Sequence, residues 1–506
     1  MRCLVFVFFM ISIFYGCSDS KHTTAETEPQ KLVYEPTWES LKKHNASPEW
    51  LKDAKFGIYF HWGVYSVPAY GNEWYARHMY VPGRKEFDYH KANYGDQSEF
   101  GYHHFIPKFT AENFNAEEWA RIFKNAGARF AGPVAQHHDG FAMWDSEVNP
   151  WNSVDMGPKK DITGALSKAL KKNDLKLITT FHHAKNNQRN RDNPKKWDSW
   201  DSHFPYNPKW HTSSEDPKLS KLYGMIPEKD FDQYWFDQVK EVIDQYNPDM
   251  IWFDTWFNSI DTKKVQEMSS YYYNQANDKK QDVTIGYKQA DLPKEVGIKD
   301  IEQGGRRELG ERLWMTDITL SNKSWCYVQG QTYKSPDLVI RNMIDVFSKN
   351  GVVLLNISPM ANGSIPEEQL TVLKEIGAWM KTHAEAIYET RPYTLFGFGP
   401  AIAEDGHFGG QSATVSYTAE DVRFTQSKDG KTVYLFMLGK PKPGEVVNLP
   451  LFSKRRYLPG SPIKRITILG YDDEVKYDSS SYKDFFLTIP EHGGNDIATV
   501  FKIELD

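Results

Sequence analysis

The sequence predicts an α/β protein in which a TIM-like (β/α)8 barrel is followed by a C-terminal antiparallel β-sandwich. From about residue 51 to residue 388, apolar runs of strand length alternate with amphipathic stretches of helical length. Several of these runs are apolar throughout, which is typical of parallel strands covered on both faces. After residue 392 the helical stretches stop, and short strand-like runs separated by turn residues predict antiparallel sheets. A doubly wound open sheet is the alternative for the first part.

Six barrel strands are predicted from their apolar runs, at residues 56–60, 129–135, 176–181, 250–254, 283–287 and 352–357. Helices are predicted between and after them, at residues 116–125, 161–172, 231–246, 262–276, 336–349 and 366–388. A barrel of this type needs eight strands, so two strands have no recognisable pattern in this sequence.

The C-terminal sandwich is predicted to contain strands at residues 414–417, 432–437, 446–449, 463–469 and 498–505. The chain then divides into a signal segment over 1–17, a flexible tether over 18–33, the barrel over 34–392 and the β-sandwich over 393–506.

Composition excludes two classes of protein. Hydrophobic residues make up 40% of the 506 residues, which is enough for a full core and excludes wholesale disorder. The net charge of −6 lacks the positive excess that nucleic-acid-binding proteins use to attract phosphates, and this excludes that class. The 30 Phe, 28 Tyr and 16 Trp residues favour flat ligands such as sugars for a minority of these rings, and core packing for most.

The N-terminus has the pattern of an export signal. Arg2 precedes an apolar run that is too short to span a bilayer, and the run ends in Gly16-Cys17. Gly before Cys resembles the lipobox of bacterial lipoproteins, so we expect Cys17 to carry lipid and to anchor an exported protein to a membrane. The predicted location is the periplasm or the outer membrane, and an ordinary cleaved signal is the alternative. Cys326 is then the only unmodified cysteine, so no disulfide is expected.

Polar and aromatic side chains follow four of the predicted strands, at the end where the active sites of such barrels form. A lone histidine is more often structural. Polar and aromatic residues at four strand ends instead predict a functional ring, meaning a set of active-site side chains around one end of the barrel. The groups are His61-Trp62-Gly63 and then Glu73-Trp74 after the first strand, His137-His138-Asp139 after the second, His182-His183 after the third and Trp252-Phe253-Asp254 at the fourth.

Three chemistries fit this ring. Glycoside hydrolysis needs two carboxyl groups across a sugar, with Trp and His for stacking and hydrogen bonds. A metal-dependent hydrolase could use His61, His137, His138 and Asp254 as ligands. A sugar-binding protein without catalysis would use the same aromatic residues, and the order of the motifs alone does not separate the three.

The motifs resemble a known family. His61-Trp62-Gly63-Val64-Tyr65-Ser66-Val67-Pro68, followed by Glu73-Trp74-Tyr75, is similar to the signature of the α-L-fucosidases, glycoside hydrolase family 29. The next two landmarks of that family are matched by His137-His138-Asp139-Gly140-Phe141 and Trp252-Phe253-Asp254. Later motifs at residues 324–327 and 354–359 resemble two more, and the family fold is a TIM-like barrel with a C-terminal β-sandwich.

The resemblance implies a retaining, exo-acting α-L-fucosidase that acts on a fucosylated oligosaccharide or glycoconjugate through a covalent glycosyl-enzyme intermediate. It implies no cofactor and no metal, and it leaves the oligomeric state open. Asp254 would be the nucleophile. The implied sugar-binding residues are His61, Glu73, Trp74, His137, His138, His182 and Trp252, of which His182 stands where many members have Tyr.

The general acid/base varies within the family and follows the nucleophile on a loop. We assign it to Glu302, 48 residues after Asp254 and 12 before Trp314, an offset that resembles one family arrangement. Glu308 and Glu311 are the alternatives, although neighbouring arginines make surface ion pairing their simpler explanation. The acid is expected to be buried.

The tryptophans divide into two predicted groups. Trp62, Trp74 and Trp252 are assigned to the sugar pocket because they lie at strand ends. Four loop tryptophans are candidates either for stacking against the leaving group or for packing of the loop: Trp197, Trp200, Trp210 and Trp256.

Overall fold

A computed structural model of the protein describes residues 34–254, 257–455, 463–471, 474–491 and 494–506. The predicted signal segment, the tether and Cys17 lie outside these ranges. In the described ranges, no helix is both long enough and apolar enough to cross a membrane.

Between residues 34 and 360, the described part of the chain contains nine strands. They are β1 (Phe56–Phe60), β2 (Phe130–Gln136), β3 (Lys176–Phe181), β4 (Met250–Phe253), β5 (Thr284–Tyr287), β6 (Ile298–Lys299), β7 (Gly304–Gly305), β8 (Trp314–Thr319) and β9 (Gly351–Ile357).

Eight of these strands form one parallel sheet in the order β6-β5-β4-β3-β2-β1-β9-β8. The two outer strands approach each other, because Asp300 bridges Met315 in parallel and the Ile301 N–H donates to the Met315 carbonyl at 2.9 Å. The sheet is therefore a nearly closed barrel. The predicted fold class is confirmed and the open-sheet alternative is wrong.

The strands are covered on both faces, as their unbroken apolar runs predict. Every residue of β1, β2, β4, β5 and β9 is buried. Gly132 allows β2 to approach β3 closely, since a Cβ there would lie 1.6 Å from the Ile178 carbonyl oxygen. The two strands that the sequence did not reveal are β6, which has only two residues, and β8, whose Thr316 and Asp317 interrupt its apolar pattern.

Eleven α-helices lie among the residues that the structure describes. They are α1 (Trp38–Leu41), α2 (Glu49–Ala54), α3 (Tyr75–His78), α4 (Lys85–Tyr94), α5 (Ala116–Asn125), α6 (Ile162–Lys172), α7 (Pro217–Leu222), α8 (Glu228–Tyr246), α9 (Thr262–Asp278), α10 (Pro336–Ser348) and α11 (Glu367–Ile387). Single turns or short stretches of 3-10 helix lie at Val64–Ser66, Tyr102–Lys108, His183–Lys185, Pro194–Lys196, His211–Ser213, Phe257–Ser259 and Pro450–Phe452.

Side-chain caps explain where several helices begin. Asn115 accepts a hydrogen bond from the Glu118 N–H before α5, and Asp161 accepts one from the Gly164 N–H before α6. These caps satisfy backbone groups that the first helical turn leaves unpaired.

The C-terminal part is antiparallel. Its strands are β10 (Thr390–Phe398), β11 (Gly406–His407), β12 (Val422–Ser427), β13 (Thr432–Met437), β14 (Val446–Asn448), β15 (Ile463–Ile468), β16 (Tyr477–Asp478), β17 (Phe486–Thr488) and β18 (Thr499–Leu505).

Two sheets of this part share one apolar core. A five-stranded sheet has the order β10-β12-β13-β18-β15, and a three-stranded sheet has the order β14-β17-β16. Phe424 and Leu435 of the first sheet pack with Leu487 of the second. The predicted strand at 414–417 is wrong, because Tyr417 turns instead towards the barrel and its carbonyl accepts a hydrogen bond from Arg341 of α10.

Candidate active site

Among the described residues, twelve side chains line a cavity at the carboxyl end of the barrel strands. Nine of them are the predicted catalytic and sugar-binding residues, and Trp62, also assigned to the sugar pocket, is not among the twelve. The remaining three are Lys288, Asp317 and Trp325. The described lining residues are His61, Glu73, Trp74, His137, His138, His182, Trp252, Asp254, Lys288, Glu302, Asp317 and Trp325.

Asp254 lies at the centre of this cavity, directly after β4. Its backbone N–H donates to the Phe181 carbonyl at 3.0 Å, which ties the end of β4 to the end of β3. Its Oδ2 lies 3.2 Å from His182 Nδ1 and 3.4 Å from His138 Nε2. Burial alone would raise the pKa of Asp254, but the Lys288 ammonium and the two imidazoles hold that pKa well below its usual range. Asp254 is therefore an ionised carboxylate.

Lys288 joins the two carboxyl groups that the sequence singled out. Its Nζ lies 3.0 Å from Asp254 Oδ1 and 2.5 Å from Glu302 Oε2, and these two distances set an upper limit of 5.5 Å on the separation of the two oxygens. Burial alone would lower the pKa of Lys288, but the surrounding carboxylates raise it well above its usual range, so the ammonium stays charged.

A second pair of acids lies against the same ammonium. Asp317 Oδ2 is 3.7 Å and Asp300 Oδ2 is 4.0 Å from Lys288 Nζ, and the Tyr59 hydroxyl donates to Asp317 Oδ2 at 2.8 Å. Burial, and next the Asp317 carboxylate, raise the pKa of Asp300 well above its usual range. Asp300 is therefore protonated, which reduces the negative charge that Lys288 must balance.

Three histidines of the cavity, His61, His137 and His138, are neutral. Burial first, and then the neighbouring imidazoles, lower the pKa of His61 and His137 well below the usual value, and burial lowers the pKa of His138 to about 4. The Asn356 side-chain amide donates to the Trp325 carbonyl at 2.7 Å, so its oxygen faces His61. His61 Nδ1 then donates to that oxygen at 2.8 Å, which leaves Nε2 as an acceptor.

Glu73 is the acid on the opposite wall. Its Oε2 accepts hydrogen bonds from the Trp325 N–H at 3.2 Å and from the Ser324 hydroxyl at 3.3 Å. Burial raises the pKa of Glu73 to about 7 against these hydrogen bonds. This carboxyl group therefore changes its protonation near neutral pH, within the cavity.

Glu302 lies on a short segment between β6 and β7, and a strand from the C-terminal part holds this segment. β11 pairs with β7, with Gly406 opposite Gly305 and His407 opposite Gly304. His407 Nδ1 donates to the Glu302 carbonyl at 2.6 Å, and the Phe408 N–H donates to the Gln303 carbonyl at 2.9 Å.

The alternatives to Glu302 lie elsewhere. Glu308 and Glu311 are exposed and do not line the cavity. The neighbouring arginines pair with other acids, Arg307 with Glu404 at 3.3 Å and Arg312 with Glu295 at 3.5 Å. The side chain of Glu302 itself is 35% exposed, so the expected burial of the acid is only partial.

One expectation about a neighbouring residue is corrected. Trp62 does not line the cavity: it is 1% exposed, packs against Trp119 and Phe109, and donates from Nε1 to the Met360 carbonyl. His183 points away from the cavity, with Nε2 3.2 Å from the Trp235 carbonyl of α8.

Sequence reasoning missed three lining residues for different reasons. Lys288 directly follows β5, so the rule that strand ends carry function would have found it. Trp325 belongs to a motif noted in the sequence, but no role was attached to it. Asp317 lies within β8, which had no recognisable strand pattern.

The cavity also contains two groups of side chains that could hold a metal ion. They are His61, His137 and His182, and His138, His182 and Asp254, each with ligand atoms within 4.8 Å of one another. Because His61 Nδ1 donates to Asn356, His61 would offer Nε2. The metal-dependent alternative therefore keeps a plausible ligand set and needs an experiment.

A barrel with a deep strand-end cavity, two facing carboxyl groups and aromatic walls defines a glycoside hydrolase. The Alpha-L-fucosidase family model matches residues 21–385, and the chain belongs to this family.

Individual relatives agree with this classification. Human tissue alpha-L-fucosidase is 27% identical over 513 residues, covering 95% of this chain and 92% of the relative. The rat tissue enzyme is 28% identical over 472 residues, covering 90% and 89%. Thermotoga maritima alpha-fucosidase, in crystal structures with fucose and with a mechanism based inhibitor, is 26% identical with a TM-score of 0.71, covering 93% of this chain and 100% of that chain.

Proposed function

We propose that this α-L-fucosidase is exo-acting and retaining, and that it releases terminal α-L-fucosyl groups from glycans through a covalent intermediate on Asp254. One observation carries the proposal. Lys288 bridges Asp254 and Glu302, and the two facing oxygens are no more than 5.5 Å apart. Carboxyl groups about 5–5.5 Å apart are typical of retaining enzymes, whereas inverting enzymes need about 6.5–9.5 Å to admit a water molecule.

In the first step, an oxygen of Asp254 attacks C1 of the fucosyl group from the face opposite the leaving oxygen. The bond between C1 and the glycosidic oxygen breaks, and Glu302 transfers its proton to that oxygen. The products are a fucosyl ester of Asp254, an ionised Glu302 and a neutral leaving alcohol. The ionised state of Asp254 before the reaction suits a nucleophile.

In the second step, water attacks C1 from the side that the leaving group vacated. Glu302 removes a proton from the water, the ester bond between C1 and Asp254 breaks, and Asp254 is again a carboxylate. Two inversions at C1 give fucose with the original α configuration, and Glu302 regains the proton that it gave away.

The walls of the cavity suit a single deoxy sugar. His137 Nδ1 and His182 Nε2 are buried and have no hydrogen-bond partner among the described residues, so each can pair with a sugar hydroxyl. Trp74, Trp252 and Trp325 provide apolar surface for the C6 methyl group and the ring carbons. Because nine of its twelve lining residues are buried, the cavity favours a single terminal sugar of a glycan.

The covalent step is tested by trapping. We expect a 2-deoxy-2-fluoro-α-L-fucosyl fluoride to inactivate the enzyme and to leave one fluorofucosyl group on the peptide that contains Asp254, measured by mass spectrometry. Asp254→Ala should lose turnover of an aryl α-L-fucoside, retain fucose binding by calorimetry and acquire no label. Near-normal activity in this variant, or a label on another residue, contradicts the assignment.

The metal-dependent alternative is tested by chelation. The two-carboxylate mechanism predicts the same activity on an aryl α-L-fucoside before and after dialysis against EDTA. Loss of activity that zinc restores would favour a metal held by the histidine groups instead.

We also propose that the protein is an exported bacterial lipoprotein anchored through Cys17, on the basis of its N-terminal sequence alone. In a bacterial host, wild-type protein should sediment with membranes, and Cys17→Ser should appear in the soluble fraction. Soluble wild-type protein would contradict the anchor.

A further inference from the structure

Trp200 is unusual among the tryptophans of this chain. Of the fifteen that the described ranges include, it is the only exposed one, at 45%. Trp197 and Trp210, on the same long loop, pack instead against Tyr206 and Tyr80, with ring centroids 5.3 Å and 5.5 Å apart. The fourth loop tryptophan considered above, Trp256, lies outside the described residues.

The exposed ring lies at the mouth of the catalytic cavity. Its centroid is 5.1 Å from that of Trp74, a lining residue, and the two rings are inclined by 74°. Nine of the twelve lining residues are buried, whereas Trp74, Asp254 and Glu302 are partly exposed, so the cavity opens beside these three. The two indoles therefore present one flat surface inside the cavity and one just outside it.

The loop that carries Trp200 is fixed from below by one buried arginine. Arg77 donates to the carbonyls of Ser202 at 2.7 Å, His203 at 2.9 Å, Asp198 at 2.5 Å and Ser199 at 3.0 Å. These carbonyls lie on both sides of Trp200 in the sequence. The guanidinium lies 4.6 Å from the centroid of the indole.

A second basic side chain, Lys185, lies close to both the Trp200 ring and the lining residue Trp74. Lys185 Nζ is 4.8 Å from the Trp200 ring centroid and 5.1 Å from that of Trp74. Burial lowers the pKa of Lys185 to about 7, and the nearby Asp254 carboxylate opposes this effect. Trp200 is thus held rigidly, close to the nucleophile, and yet open to solvent.

An exposed apolar ring that is held this firmly suggests a binding surface. Ordering a flexible side chain costs free energy on binding, and a ring that is already fixed avoids that cost. A pyranose presents a flat face of C–H groups that packs well against an indole. Because the proposed function places the fucosyl group inside the cavity, a flat surface just outside it is free to contact the leaving group.

We propose that Trp200 is the platform of a leaving-group subsite that stacks against the sugar to which the fucosyl residue is attached. The inference rests on the proposed fucosidase function and adds to it the class of leaving group: a neutral pyranose, in contrast to a small alkyl group or fluoride.

The test compares two substrates that share the fucosyl group. One is α-L-fucosyl fluoride, whose leaving group has no ring. The other is an α-fucosyl disaccharide, chosen as the one that the wild-type enzyme hydrolyses from a set with 1,2, 1,3, 1,4 and 1,6 linkages. For Trp200→Ala we expect kcat/KM to fall about tenfold on the disaccharide, mainly through KM, which is the size expected for one aromatic contact. On the fluoride the change should be less than about twofold, because that leaving group cannot stack.

Two further variants separate stacking from loop damage. Trp200→Phe keeps an aromatic surface and should lose less than Trp200→Ala on the disaccharide. Trp197→Ala removes another indole from the same loop, three residues earlier. It should leave the ratio of kcat/KM on the disaccharide to kcat/KM on the fluoride unchanged.

Three results would overturn the inference. If Trp200→Ala lowers kcat/KM equally on both substrates, Trp200 contacts the fucosyl group and not the leaving group. An unchanged rate on the disaccharide would mean that the ring contacts no leaving group. A wild-type enzyme that hydrolyses neither substrate contradicts the proposed function and the subsite together, whereas the first two results leave the proposed function intact.

Discussion

At the scale of single residues, Lys288 decides how the carboxyl groups are arranged. Without a cation, two ionised carboxylates at this spacing would repel each other, as Asp254 and Glu302 would after Glu302 has given up its proton. The ammonium lies between them and also contacts Asp317. It therefore holds the two oxygens at the distance that a retaining mechanism needs, while a protonated Asp300 limits the local charge.

We expect Lys288→Met to lower kcat/KM at least about 100-fold, a loss within the range of one strong electrostatic contact in an active site. Lys288 is one of the groups that lower the pKa of Asp254, so the acid limb of the pH profile should shift to higher pH in this variant. Lys288→Arg keeps the positive charge, so the acid limb of its pH profile should lie at the same pH as in the wild-type enzyme. A profile that is the same in all three enzymes would show that Lys288 does not act on the nucleophile.

A second prediction at this scale concerns the acid. Glu302→Ala should lower kcat about 100-fold or more on fucosides with poor leaving groups, because those need a proton. Activated aryl fucosides should lose much less in the first step, and azide should restore part of the activity. Glu308→Ala and Glu311→Ala are matched controls. If Glu302→Ala loses the same activity on both kinds of substrate, Glu302 is not the acid, and Glu308 or Glu311 becomes the candidate.

At the scale of elements, the C-terminal part of the chain holds the acid segment in place. Strand β11 pairs with β7, and His407 Nδ1 donates to the carbonyl of Glu302 at 2.6 Å. The backbone at Gln303 has a φ of 41°, an uncommon conformation outside glycine, so the segment depends on outside contacts to stay in this shape.

We therefore expect His407→Ala to lower kcat on an unactivated fucoside about fivefold, since small displacements of a catalytic group are costly. The rate on fucosyl fluoride should change little, because fluoride needs little help from the acid. His407→Asn places an amide donor near the position of Nδ1 and should recover most of the loss. If both variants lose the same activity on both substrates, His407 does not act through Glu302.

At the scale of the whole molecule, the buried histidines around the cavity predict how stability depends on pH. Burial lowers the pKa of all five, to about 4 for His138, about 3 for His183, and well below the usual value for His61, His137 and His203. Below about pH 6.5 the unfolded chain binds protons at these positions and the folded chain does not. Their contribution to stability is therefore lost as the pH falls from about 6.5.

Three carboxyl groups oppose this trend. Burial raises the pKa of Glu73 to about 7, that of Asp139 to about 6, and that of Asp300 well above its usual range. Their contribution is present at low pH and is lost as the pH rises through these values. Six more described histidines also have a lowered pKa, and only Asp161 and Asp291 add to the carboxyl groups whose pKa is raised. The histidines therefore outnumber the carboxyl groups, and we expect the free energy of unfolding to be lower at pH 5 than at pH 7 by at least about 1 kcal/mol.

Urea unfolding followed by fluorescence at the two pH values, with EDTA present, measures this difference. His183→Gln removes one of the five imidazoles away from the cavity and should reduce the difference. Equal stability at the two pH values would mean that the histidines are not held neutral in the folded protein.

The sequence could predict most of the fold because local patterns carry it. Helix α5 and strands β1, β3 and β13 begin and end at the predicted residues, since each has a clear period and clear flanking turn or capping residues. Strand β6 has only two residues, and β8 contains polar residues that the barrel buries. Neither has a local pattern, because both depend on the neighbouring strands that pair with them.

For the site, the sequence by itself determined which residues could act: the ring His61, His137, His138, His182 and Asp254 follows from strand ends that the sequence marks clearly. The tertiary structure alone decided that Lys288 joins Asp254 to Glu302, that His407 supports Glu302 from more than 100 residues away, and that Trp62 packs in the core while Trp200 stays open. The physical reason is that side-chain type and strand period are local properties. Distances between charges and the exposure of a ring depend on contacts between distant parts of the chain.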